Sequence, residues 1–214
     1  DLRTPLARLK ATAERALEAG RPDSDGKAAL ADMLEETDRA AQLLTALMDV
    51  SEAETGVLKL EKEPVAAADL AADAIALFED AAEEKGVALS GKAEPGLAVF
   101  ADRNRMREVL ANLLDNAVKH TPPGGRIVLE AVPDGSDALF RVSDTGPGIA
   151  PGDLPHIFDR LYRGDRSRSG RGLGLGLALA RAIVEAHGGT ISAQSGPGGA
   201  VFLVRLPRPN LSRL

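Results

Sequence analysis

The stretch Glu108-Val109-Leu110-Ala111-Asn112-Leu113-Leu114-Asp115-Asn116-Ala117-Val118-Lys119-His120-Thr121 decides how the rest of the chain is read. At helical spacing Glu108, Asn112, Asn116 and Lys119 fall on one face, and Val109, Leu113 and Ala117 on the other. The spacing therefore predicts a helix with a core face and a chemical face. Asparagine is a poor interior helix former because its amide competes for backbone hydrogen bonds, so two of them one turn apart need a reason. A hard cation held by oxygen ligands supplies one, and Lys119 adds the positive charge that a polyphosphate requires. A solvated polar face is the alternative reading of the same pattern.

Bulk properties narrow the partners. A chain of 214 residues holds one ample domain or two modest ones. The net charge of −6 and a pI near 5.2 give no non-specific attraction to nucleic acid or anionic lipid. Cysteine is absent, which removes disulfides and thiolate chemistry. No apolar run approaches the ~20 residues that span a bilayer, and the most apolar helical stretch, Leu70 to Phe78, is broken by Asp73. The expectation is a soluble chain with no direct membrane contact and no nucleic-acid partner.

Outward from the asparagine helix, the predicted class is α+β. In residues 1–19, Leu2, Leu6, Leu9, Ala13 and Ala16 follow the four-three alternation of a helical seam, with Pro5 in a first turn or at a kink. Gly20 to Gly26 reads as a connection, and Leu30, Leu34, Thr37, Ala41, Leu44 and Met48 repeat the spacing. Such a hairpin buries little alone, so residues 1–50 are expected to form half of a dimeric four-helix bundle, a homodimer; packing on the downstream domain is the alternative. Strands are predicted at Val57–Leu60, Val87–Ser90, Leu97–Ala101, Ile127–Val132, Leu139–Val142, Thr190–Gln194 and Ala200–Leu206. Helices are predicted at Val65–Lys85, ended by Gly86, and at Leu173–His187. Residues 144 to 172 lack a long periodic element and read as a functional lid. The expected division is a hairpin over 1–54, an α/β sandwich over 57–209 and a tail over 210–214.

Two glycine-bearing segments complete the chemistry. Asp144-Thr145-Gly146-Pro147-Gly148-Ile149 sets a carboxylate at a strand end, able to accept from an exocyclic amine or simply to cap its turn. Gly170-Arg171-Gly172-Leu173-Gly174-Leu175-Gly176 opens a helix, where free N–H groups suit phosphate oxygens and small residues also suit close helix packing. The dinucleotide fingerprint is out of register, and no P-loop segment exists.

Taken in order, these segments resemble the histidine kinases of two-component signalling, which share an ATP-binding fold with gyrase B and a heat-shock chaperone. The asparagine helix is similar to that family's N box and Asp144 to Gly148 to its G1 box. Ile157-Phe158-Asp159-Arg160-Leu161-Tyr162-Arg163 is similar to the F box and Gly172-Leu173-Gly174-Leu175-Gly176 to the G2 box. The resemblance implies that ATP lies between the asparagine helix and the lid. It implies Asn116 as ligand to Mg²⁺, supported by Asn112, with Lys119, His120 and Arg163 toward phosphate oxygens and Asp144 on the adenine amine. Gly146, Gly148, Gly172, Gly174 and Gly176 would allow close backbone approach. Glu108 stands where related ATPases keep a water-activating base, and here would assist the metal or orient water. His187, at a helix end, is expected to interact with the helix dipole.

Asp1-Leu2-Arg3-Thr4-Pro5-Leu6 resembles the segment directly after the phosphorylated histidine of the family. Asp1 would take the histidine's proton and Thr4 would orient water for dephosphorylation of a response-regulator receiver domain. The acceptor itself would precede Asp1, so a polypeptide of these 214 residues alone is expected to bind nucleotide without phosphorylating itself. Leu161 departs from the phenylalanine common in the F box, which would loosen the lid. The implied parent is a sensor kinase with this part in the cytoplasm and an anchor in the bacterial inner membrane. Rival readings are a nucleotide-sensing interaction module without phosphotransfer and an ATP hydrolase of the same fold.

Overall fold

A computed structural model describes residues 11, 13–14, 24–55, 58–163 and 174–208. The chain divides into two compact units, Asp1–Asp49 and Val50–Leu214. In the first, Ala11, Ala13 and Glu14 are helical, and Ser24–Glu54 forms one continuous helix of 31 residues, α1. The expected connection therefore ends earlier, since Ser24, Asp25 and Gly26 belong to the helix. Leu30, Leu34, Thr37, Ala41 and Leu44 are only half-buried, and Met48 is 45% exposed, so this chain alone leaves the stripe partly uncovered. The unit boundary falls inside α1, five residues before its end. Asp1, Thr4, Gly172 and the tail 210–214 lie outside the described residues.

In the second unit Leu58–Leu60 form no strand; β1 is Glu63–Ala66, paired antiparallel with β3, Ala98–Ala101. Only Val65 of β1 is buried, so no alternating pattern marks it, and Pro64 is tolerated because this is a two-stranded edge. The following helix, α2, is Ala67–Glu84 and starts two residues later than its hydrophobic spacing suggests. It buries Leu70, Ala71, Ala74 and Ala82 and stops at Lys85 before Gly86, whose φ of 69° is the left-handed conformation favoured after a helix. Strand β2 is Ala88–Ala93.

Helix α3, Arg103–His120, starts at Asp102, whose carboxylate accepts from the N–H groups of Asn104 at 3.0 Å and Arg105 at 3.1 Å. Met106, Val109, Leu110, Leu113, Leu114 and Ala117 are wholly buried, as the two-faced pattern requires. Strands β4, Arg126–Asp134, and β5, Asp137–Asp144, run longer than predicted and join through Gly135, with φ 63°. A short 3₁₀ turn at Leu154–His156 is the regular element described in the loop region. Helix α4 is Gly176–Ala186, with the hairpin β6, Thr190–Gly196, and β7, Gly199–Pro207, after it.

The main sheet has the order β2-β4-β5-β7-β6, with β2 and β4 parallel and every other pair antiparallel. Its inner face, Ile127, Leu129, Phe140, Phe202, Val204 and Leu206, is sealed from solvent under a layer in which α3 lies between α2 and α4. Each such large side chain contributes about 1.5–3 kcal/mol through burial. The fold is thus a helical region followed by an α/β sandwich with a mixed sheet, as expected.

His187 ties two helix ends together. Its Nδ1 donates to the Ile183 carbonyl at 2.8 Å, and its Nε2 accepts from the Asp102 N–H at 3.0 Å. Acceptance at Nε2 requires the neutral ring, so His187 meets the dipole end of α4 as an uncharged N–H donor and also forms a strut to the start of α3. Burial pushes its pKa below 6.5, the Ile183 carbonyl opposes that, Lys62 adds to it and Asp102 opposes it. The unfolded chain then binds a proton near pH 6.5 that the folded chain takes up only lower, so stability falls as pH drops through 6.5 toward the folded value. Thermal melts should show this loss setting in as pH falls through about 6.5, and His187→Gln should flatten part of it; an unchanged slope would contradict the neutral strut.

Candidate functional site

Three segments converge around the polar face of α3: the helix itself, the turn Asp144 to Ile149 after β5, and the start of α4. Asn112 donates through Nδ2 to the Glu108 carbonyl at 3.0 Å, which leaves Oδ1 directed at α4: a Cβ on Gly176 would lie 2.7 Å from it. Close packing thus explains Gly176. Asn116 is half-buried, and its amide takes no partner among the described residues. Glu108 shares its carboxylate with Arg105 at 3.0 Å. Lys119 is exposed and paired with Asp115 one turn earlier.

Asp144 is 8% exposed, and its two oxygens differ. Oδ1 accepts from the N–H groups of Gly146 at 2.8 Å and Ala200 at 3.3 Å. No donor among the described residues reaches Oδ2. Oδ2 is not among the buried side-chain atoms that lack a partner, so it opens to solvent and is accessible to an incoming N–H donor. The turn-cap reading of Asp144 is thus met by Oδ1, and Oδ2 takes no part in that cap.

The glycines of the turn are set by their neighbours. A Cβ on Gly146 would lie 3.0 Å from the His120 carbonyl oxygen, and one on Gly148, at φ 71°, would lie 2.7 Å from both the Gly196 carbonyl oxygen and Ser195 Oγ. Gly199, at φ 120°, lets β7 start directly against the Asp144 carbonyl. Gly174, at φ 69°, accepts at its carbonyl from the Leu161 N–H at 2.9 Å. Leu161 itself has φ 60°, which costs a non-glycine residue about 1–2 kcal/mol, and its side chain is 57% exposed. Phe158 meets Phe202 edge-on at 6.4 Å, and the Tyr162 hydroxyl donates to Asp153 at 2.7 Å. Arg163 is half-buried and carries an interaction of its own.

Pattern reading missed several positioning groups. Lys85 donates through Nζ to the Val118 carbonyl at 2.6 Å and the Lys119 carbonyl at 2.7 Å, capping the end of α3. Loss of hydration holds the His120 pKa below its ordinary value; Asp144 opposes that, Lys85 and Lys119 reinforce it, and Asp115 opposes it. The signal for Lys85 was a basic residue directly before the helix-ending Gly86; for Ser195 it was a hydroxyl just ahead of Gly196-Pro197-Gly198-Gly199. Among the described residues no group of three His, Cys, Asp or Glu gathers as a metal cage. Magnesium held beside phosphates needs no such cage, since one or two protein oxygens suffice, and the unengaged Asn116 amide fits that demand.

Comparison with known proteins agrees with this geometry. Residues 101–210 match the family described as histidine kinase-, DNA gyrase B- and HSP90-like ATPase. Residues 1–56 match the His Kinase A (phospho-acceptor) domain. The chain is 36% identical over 211 residues to the sensor histidine kinase CusS of Escherichia coli O157:H7, covering 97% of this chain and 43% of that one. It is 33% identical over 213 residues to the sensor protein SrrB of Staphylococcus aureus, covering 98% and 36%. The chain thus spans less than half the length of these curated relatives. Full-length ShkA in complex with AMPPNP superposes with a TM-score of 0.83 at 29% identity, covering 96% of this chain and 43% of that one. The Acinetobacter baumannii histidine kinase AdeS gives 0.71 at 25% identity, covering 98% of both. The chain belongs to the histidine kinase-like ATPases and, within them, to the sensor histidine kinases of two-component systems.

Gly199→Ala tests the contact between the hairpin and the turn. A Cβ there would fall 1.8 Å from the Asp144 carbonyl oxygen, so urea unfolding should show a loss of at least about 2 kcal/mol from overpacking and backbone strain. A change under 0.5 kcal/mol would contradict the described approach.

Proposed function

We propose that this chain binds Mg²⁺-ATP and donates its γ-phosphate to a histidine of a sensor kinase's helical hairpin, for relay to an aspartate of a response-regulator receiver domain. The observation that carries the nucleotide reading is the divided carboxylate of Asp144, with Oδ1 committed to the backbone and Oδ2 open to an exocyclic amine. Asn116 holds the metal through its amide oxygen, and Asn112 supports it from one turn earlier. When bound, magnesium supplies neutralisation of phosphate charge. Lys119 swings from Asp115 to a phosphate oxygen, His120 donates to another once protonated or through its neutral N–H, and Arg163 takes the terminal phosphate. The uncapped start of α4, with Gly174 and Gly176 and preceded by Gly172, presents N–H groups to the same anion. Gly146 and Gly148 bring the turn backbone to the base.

Phosphoryl transfer depends on positioning and charge neutralisation more than on covalent help, which suits this inventory. A nitrogen–phosphorus bond forms at the acceptor imidazole as the oxygen bond to the γ-phosphorus breaks, releasing ADP, and Asp1 receives the imidazole proton. Thr4 orients water for the reverse task on the phosphorylated partner. Glu108, tied to Arg105, orients the metal's surroundings rather than activating water. Residues 1–50 form the homodimer, and the segments 1–54 and 57–209 act as phosphotransfer and catalytic domains ahead of a tail at 210–214. No helix among the described residues is long and apolar enough to cross a membrane; the portion works in the cytoplasm while its parent is anchored in the inner membrane.

Asn116→Ala should weaken Mg²⁺-dependent ATP binding at least about tenfold, or 1.4 kcal/mol, measured by calorimetry with and without the metal; unchanged affinity would sink the metal assignment. Glu108→Gln should leave nucleotide affinity intact and should not abolish transfer; a selective collapse of ATP turnover would favour the hydrolase reading instead. A polypeptide of residues 1–214 incubated with γ-labelled ATP should retain no label, and placing histidine directly before Asp1 should restore it. Stable labelling without that histidine would overturn the assignment of the acceptor.

A further inference from the structure

We propose that Ser195, on the β6–β7 hairpin, is a positioning residue that sets the base specificity of the nucleotide site. The proposal rests on the reading of Asp144 as the group that accepts from the adenine amine. Ser195 is half-buried, and its Oγ accepts from the Ile149 N–H at 2.6 Å while donating toward the Gly199 carbonyl at 3.4 Å. It thereby ties the far end of the turn Asp144 to Ile149 to a strand pair about fifty residues away in sequence.

The same hairpin holds the near end. Ala200 donates its N–H to Asp144 Oδ1, and Gly199 packs against the Asp144 carbonyl. Between these two anchors lies Gly148, in a left-handed conformation with no room for a side chain against Ser195 Oγ and the Gly196 carbonyl. The carboxylate and its turn are therefore gripped at both ends by one rigid antiparallel hairpin. Without the Ser195 hydroxyl the Ile149 N–H loses its acceptor, Gly148 loses its neighbour, and only the grip on Asp144 remains.

The consequence concerns discrimination more than attachment. An oxygen that accepts from a 6-amino group faces a carbonyl when the base is hypoxanthine, and two acceptors in a confined site repel. How strongly the site rejects the keto base depends on how little the turn can yield. A turn tethered at both ends cannot move away from the carbonyl; one tethered at the Asp144 end alone can. Ser195 thus acts through the turn and touches neither the phosphates nor the metal.

The test compares ATP and inosine triphosphate affinities, by calorimetry with magnesium, for the full chain and for Ser195→Ala, Ser195→Thr and Asp144→Asn. Ser195→Ala should lower ATP affinity about threefold to tenfold, the range expected for one lost hydrogen bond. Its affinity for inosine triphosphate should fall less, or rise, so that the preference for ATP shrinks. Ser195→Thr keeps the hydroxyl and should retain the preference of the unaltered chain. Equal losses for both nucleotides in Ser195→Ala, or no loss, would overturn the proposal, as would a threonine variant no better than alanine. Asp144→Asn separates the two claims. If it erases the preference while Ser195→Ala does not alter it, the reading of Asp144 stands and the role of Ser195 falls; if it leaves the preference intact, the reading of Asp144 itself fails.

Discussion

The rotation of α3 about its own axis is the constraint on which the site depends. Seven residues of the helix are buried, and they form one continuous apolar face pressed on the sheet between α2 and α4. Turning the helix by one residue, 100°, would bring Asn112 or Asp115 toward that interior at a cost of several kcal/mol for each unpaired polar group. The polar face has no such freedom of its own; it points where the core leaves it. Asp102 and His187 fix the first turn, and Lys85 fixes the last. The backbone that carries the two asparagines is therefore set in direction by the core, and Asn112 is further held by its bond to the Glu108 carbonyl.

Charge is arranged with equal economy around the end of that helix. Lys85 satisfies carbonyls that would otherwise face the site and, with Lys119, raises the local positive potential. The same two ammonium groups disfavour a charged His120. The end of the helix thus has cationic character from lysine, while the imidazole is biased toward its neutral form. Asp115 tempers the arrangement by holding Lys119. An anion that draws Lys119 away releases that carboxylate to solvent, where it is well hydrated.

Most of the fold was legible because its elements are long and periodic. The two-faced pattern of α3, the alternation in β4, β5 and β7, and the glycine after α2 each have a local cause that a single stretch of residues carries. Strand β1 was not legible, since four residues with one buried valine and a proline bear no signature apart from their pairing with β3. The site divides in the same way. Asp144, Asn112 and Asn116 stand out by type and position, whereas Ser195, Ala200 and Lys85 act through contacts with residues distant in sequence, and their types are ordinary. His187 shows the limit from the other side: its position at a helix end was evident, but its partner at Asp102 was not, and that partner decides its protonation.

The place of β7 in the sheet has a consequence for how the protein is made. This strand lies between β5 and β6, so the edge of β5 stays open until residues 199–207 are available to pair with it. During synthesis the earlier strands and all three helices of the second unit leave the ribosome before the sheet can close, with the inner side chains of β5 incompletely covered. Asp144 receives its second backbone donor from that same last strand. The turn at Asp144 is thus completed only when β7 pairs, and a nascent chain stalled before β7 exposes an unpaired apolar edge of the kind that chaperones must cover.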